Sequence, residues 1–163
     1  MRFQPDLCPG RRARGPAATV LLAIAGLLVT GAPALAQDFR LDDLRGQKLA
    51  EGDLTRGTTI IVVWASWSPR SRDIVERVQP LASRWNGRAR VLTVNFQEDR
   101  KAIEGFLAGR DLGAPVFLDP GGVFSRKYAV ATLPGLLVFR DGRVVYRGKL
   151  PDDPDRVIAE LLG

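Results

Sequence analysis

Histidine is absent from the 163 residues, and cysteine occurs once, at Cys8. Without imidazole the chain lacks the usual zinc ligand, leaving only carboxylates, and it lacks the usual general base for a serine nucleophile. No internal repeat, low-complexity tract, glycine-rich phosphate loop or basic run is present, so neither a nucleotide cradle nor a nucleic-acid footprint is drawn. Carboxylates crowd only at Asp152, Asp153 and Asp155, without the spacing of a calcium-binding loop, and that cluster reads as a helix start. No cofactor and no metal are implied.

What is present begins with an address. Arg11, Arg12 and Arg14 form a positive region, Ala17 to Val29 an apolar stretch, and Ala34-Leu35-Ala36 a small-residue cleavage site before Gln37. Residues 1–36 are therefore expected to be a signal peptide, and residues 37–163 the exported domain. The alternative is an uncleaved anchor, against which the apolar run is broken by Gly26 and falls short of the ~20 residues of a spanning helix. Residues 1–36 carry four of the 24 basic and one of the 18 acidic residues, so the remainder holds 20 and 17, a net +3. Part of the whole-chain charge of +6 is thus an export feature. Cys8 lies in the same segment, so the processed domain can form no disulfide despite an oxidising destination. A membrane is expected as a partner only if the segment stays uncleaved.

Beyond the leader, 39–46 and 47–52 alternate apolar and polar positions around Gly46, which predicts a short edge hairpin. Thr58 to Trp64 is apolar and β-branched on both faces, as a central strand covered by helices should be. Ser68-Pro69 has the composition of an N-cap and first helical residue. From there Ile74, Val75, Val78, Leu81, Ala82 and Trp85 recur at three and four residues, predicting an amphipathic helix that ends near Asn86-Gly87. A strand at Val91 to Phe96, a helix between Asp99 and Gly109, a short strand at Val116 to Leu118 and a brief helix from Gly121-Gly122 to Tyr128 follow. Strands at 136–140 and 143–146 are joined by Asp141-Gly142, and a closing helix is capped by Asp153. This order predicts an α/β fold with a central mixed sheet flanked by helices. Trp64, Trp85, Phe124 and Tyr128 read as core.

Three segments carry a resemblance to a known family. Val63-Trp-Ala-Ser-Trp-Ser-Pro-Arg-Ser71 resembles the active-site segment of thioredoxins, with Ser68-Pro69-Arg70-Ser71 where Cys-x-x-Cys is found. Val130-Ala-Thr-Leu-Pro-Gly135 resembles the loop that holds the family's cis-proline, and Leu136 to Gly142 the strand and turn after it. The strand-helix insertion at 97–119, the N-terminal hairpin and the leader are similar to the TlpA/ResA branch. That resemblance implies a thioredoxin fold in an exported, periplasmic or inner-membrane-anchored thiol-disulfide oxidoreductase family.

The dithiol chemistry itself is missing. Exchange needs a thiolate, favoured at a helix N-terminus, to attack a disulfide, and a second thiol to resolve the product. Ser68 and Ser71 supply neither. Val62 stands where thioredoxins carry a buried acid, and Glu76 where a helix-bending proline is common. Ser68 is expected to cap the helix with its side-chain oxygen, and no base is at hand to make it a nucleophile. Arg70 and Arg72 read as solvated flanks of the helix start rather than an anion site. The family's groove maps onto Trp67, Pro69, Arg70, Leu133 and Pro134, with Gly135 expected to loosen the loop where thioredoxins usually carry threonine. The resulting expectation is a non-catalytic binder of an envelope protein or extended peptide. Its alternatives are an oxidoreductase of cytochrome c maturation or envelope redox balance with substituted cysteines, and a structural subunit of an envelope complex.

Overall fold

A computed structural model describes residues 38–163, so the expected leader lies outside the described residues. A hairpin opens the domain, with β1 (Arg40–Asp42) antiparallel to β2 (Lys48–Ala50). Its inward positions, Leu41 and Leu49, are buried while their neighbours face water. The main sheet contains β3 (Thr58–Trp64), β4 (Arg90–Phe96), β5 (Val116–Asp119), β6 (Gly135–Arg140) and β7 (Arg143–Lys149), in the order β5-β4-β3-β6-β7. β4 runs parallel to β3 and β5 to β4, whereas β6 and β7 are antiparallel additions, which makes the sheet mixed as expected. Helices α1 (Ile74–Trp85), α2 (Arg100–Phe106), α3 (Val123–Lys127) and α4 (Pro154–Leu162) cover it.

The unbroken apolar run of β3 is explained by its central place, since side chains alternate between two cores. Ile60, Val62 and Trp64 face one core with the full predicted stripe of α1, Ile103 of α2 and Ile158 of α4. Ile61 and Val63 face the other, with Phe39, Leu41, Leu49 and Leu54 from the N-terminal segment and Phe124 of α3. Each large apolar side chain withdrawn from water contributes about 1.5–3 kcal/mol. Trp64, Trp85, Phe124 and Tyr128 all pack as core residues, Tyr128 at the margin between Phe39, Phe124 and Phe139. Burial, followed by the charge of Glu51, pushes the Tyr128 phenol up to about 12.

Local signals set most boundaries. Asp141 and Gly142 both adopt positive φ, 49° and 79°, as a two-residue hairpin turn of the favoured twist requires. Asp99 and Asp153 accept from the backbone N–H groups of Ala102 and Arg156 and so cap α2 and α4. The aspartate cluster is thus a helix start. Three boundaries differ most from expectation. α1 begins at Ile74 rather than at Pro69, after a separate 3-10 turn at Pro69–Ser71. α2 ends at Phe106, short of Gly109. β7 runs to Lys149, held by its pairing with β6 through Gly148 and Lys149 despite a polar composition. Although Glu76 occupies the position where the family's helix proline was sought, α1 carries a proline at Pro80.

Candidate functional site

The site lies where β3 and β4 end. Outside the carboxyl ends of parallel strands, loops leave a crevice that the sheet itself cannot fill. β3 delivers Trp67 and Ser68 to this edge, β4 delivers Phe96, and the segment before β6 delivers Val130 to Leu133. Together they line a mainly apolar groove of about 480 Å³. Trp67 is 59% exposed, unlike Trp64 and Trp85, and its ring meets that of Phe96 at 6.5 Å between centroids. Of the residues assigned to a groove from the sequence, Trp67, Pro69, Arg70 and Leu133 line it, and Ser68, expected only as a cap, lines it as well. Pro134 does not, because it is buried behind the loop, where its peptide bond with Leu133 is cis and its carbonyl accepts from Leu150 N–H. Phe96, Ser125 and Val130 line the groove but escaped the sequence reading. The position of Phe96 as the last residue of a parallel strand was the available signal.

The two serines differ in state. Ser68 has the extended backbone of an N-cap, with φ −77° and ψ 121°, yet its hydroxyl makes no cap hydrogen bond. It is turned instead towards the carbonyl of Leu133, to which it donates over a long 3.4 Å. The expected capping role is therefore not met. The physical reason is the short 3-10 turn, whose first backbone bond, Ser71 N–H to Ser68 C=O at 2.9 Å, closes the loop without the side chain. Ser71 is fully buried and its Oγ has no hydrogen-bond partner. Val62 is fully buried among apolar neighbours, so no acid stands beneath the pair from that strand.

A buried carboxylate does stand nearby. Glu98 accepts from Ser66 N–H at 2.7 Å, from the Ser66 hydroxyl, and from Asn95 Nδ2 at 2.7 Å. Its bonds to Ser66 fix the turn that presents Trp67, and no bond from Ser68 or Ser71 reaches it. Neither hydroxyl is therefore activated as a nucleophile. The loop opposite is equally tight. A Cβ on Gly135 would lie 2.9 Å from the Thr132 carbonyl oxygen and 3.1 Å from Val130 Cγ1. Gly135 thus permits a close backbone approach rather than loosening the loop. Arg70 and Arg72 are both exposed at the helix start.

This arrangement, a mixed sheet with a tryptophan-serine turn facing a cis-proline loop, coincides with a family match over residues 33–147 to AhpC/TSA. The chain belongs to the AhpC/TSA family. Within it, the thiol-disulfide oxidoreductase ResA of Bacillus cereus is 26% identical over 112 residues, covering 68% of this chain and 65% of ResA. The chain therefore spans just under two thirds of the length of that curated relative. Among solved structures, the pneumococcal exposed lipoprotein thioredoxin of Streptococcus pneumoniae superposes with a TM-score of 0.67 at 21% identity, covering 77% of this chain and 98% of the other. StoA from Bacillus subtilis gives 0.65 at 20% identity, covering 80% and all of it. These two likenesses establish the thioredoxin fold. As an AhpC/TSA member, the chain is of the thioredoxin-like, ResA-like type.

Proposed function

We propose that the chain is an exported thioredoxin-like protein that holds an extended segment of another protein in the Trp67 groove without redox chemistry. The observation that carries this reading is a mainly apolar groove lined by an exposed Trp67 beside two serines that cannot exchange disulfides. Trp67 stays exposed on a turn fixed by Glu98, and the facing loop from Val130 to Leu133 leads into its cis-proline. An extended segment lying along that loop would pair its backbone with peptide groups of the loop and seat side chains against Trp67. Among the described residues no helix is long and apolar enough to cross a membrane. The export part of the reading rests on the leader-like residues 1–36.

The full-length chain is expected to give no turnover of insulin disulfides with a thiol reductant, and to bind extended peptides with a change in Trp67 fluorescence that Trp67→Ala abolishes. Reductase turnover, or peptide binding indifferent to Trp67→Ala, would overturn the proposal.

A further inference from the structure

The groove beside Trp67 adjoins a second hollow of about 150 Å³, and the two share the stretch Val130, Ala131 and Thr132. Arg70 lines the first, and Arg147 and Lys149 line the second. Arg126 and Phe96 both flank Gly122, where a Cβ would meet Arg126 Nη1 at 3.0 Å and Phe96 Cε2 at 3.1 Å, and Arg126 Nη1 donates to the Gly121 carbonyl at 2.7 Å. All four cations are exposed. No carboxylate lines either hollow. Among the described residues none of the four takes part in a salt bridge, whereas Arg84, Arg100, Lys127 and Arg156 elsewhere do. With only a small net charge over residues 37–163, the local charge is set by the side chains that line the two hollows, which include cations and no carboxylate.

Resting on the reading above, the geometry points to a partner segment of defined chemistry: an extended stretch of another protein in which an apolar side chain is flanked by aspartate or glutamate. The apolar side chain lies in the groove against Trp67 and Phe96, and the acidic flanks reach Arg70 and Arg126 on one part of the loop and Arg147 and Lys149 on the other. A second copy of this chain is a poor occupant, because its own free strand, β7, would bring Arg143, Arg147 and Lys149 against the same cations. Such like-charge opposition disfavours pairing, whereas opposite charges select the partner and speed its arrival.

The test uses the full-length chain and three short extended peptides with a central phenylalanine flanked by glutamate, glutamine or lysine. The glutamate peptide is expected to bind about tenfold more tightly than the glutamine peptide, the sum of a few exposed charge contacts. The lysine peptide should bind most weakly, and the spread should close as salt rises past about 0.1 M. Arg70→Glu combined with Lys149→Glu is expected to invert the order, and Arg70→Gln with Lys149→Gln to flatten it, both with unchanged circular dichroism. Equal affinities for the three peptides, still abolished by Trp67→Ala, would overturn the charge selection while leaving the peptide groove standing. Absence of Trp67-dependent binding to any peptide would sink both readings. A single-stranded oligonucleotide bound as tightly as the glutamate peptide would overturn the assignment of partner class.

Discussion

A hydroxyl sealed from water without a partner costs the free energy of its lost hydration, about 1–3 kcal/mol. Ser71 is in that condition, buried completely with an unpartnered Oγ. Ser71→Ala is accordingly expected to stabilise the domain by about 1 kcal/mol, read as a rise in Tm of about 4 °C in a thermal melt. A lower Tm would show that the hydroxyl has a partner in solution. Ser68 and Asp153 give the complementary comparison. Asp153 accepts from Arg156 N–H at 3.0 Å and is a working cap, so Asp153→Ala should cost about 1 kcal/mol. Ser68→Ala should cost less than about half of that, because only a 3.4 Å contact is lost. Urea titrations of the two variants side by side decide this, and an equal loss would restore Ser68 as a cap. The composition Ser-Pro promises a cap, but its acceptor, the Leu133 carbonyl, lies 65 residues away and no local rule could reveal it.

Elements announced by their own composition were legible in the sequence, and boundaries set by distant partners were not. β3 matches its predicted span residue for residue, since a run buried on both faces announces itself by composition. The stripe of α1 is likewise recovered entirely, but its start is displaced because the preceding turn is fixed by Glu98 and Leu133 from other elements. The same reasoning explains the groove. Trp67 and Leu133 were visible through their motif, whereas Phe96 and Val130 enter only when β4 and the loop before β6 are brought together. β7 extends past its predicted end because pairing with β6 outweighs propensity. The loop before β6 makes a prediction at this scale. Gly135→Ala places a Cβ 2.9 Å from a backbone oxygen, which cannot yield as a flexible side chain would. The variant should lose about 1–3 kcal/mol, with a lower denaturant midpoint at unchanged m, and should weaken peptide binding by shifting Thr132 and Leu133. Unaltered binding would show that the loop has room to spare.

At the scale of the whole molecule, pH dependence separates from function. The domain has no histidine and its described residues contain no cysteine, so neither of the side chains that commonly titrate near neutrality is present. Tyr128 dominates the alkaline side. Its pKa is raised from 10.0 to about 12, so the folded state holds the phenolic proton longer than the unfolded chain does. This contribution is fully present below pH 10 and is lost as pH rises from 10 to 12. Tyr128→Phe should therefore flatten the fall in stability within that window relative to wild type, measured as urea midpoints at stepped pH. An identical slope in both proteins would remove Tyr128 from the account.

Ser68 leaning on the Leu133 carbonyl also bears on time. A thiol at this position would let a client be captured covalently and released only when an electron donor arrived. With a hydroxyl there, an occupant of the proposed kind would depart by dissociation alone, and its residence would be set by the contacts around Trp67. Half-lives of such complexes should be indifferent to the redox poise of the compartment and responsive to ionic strength.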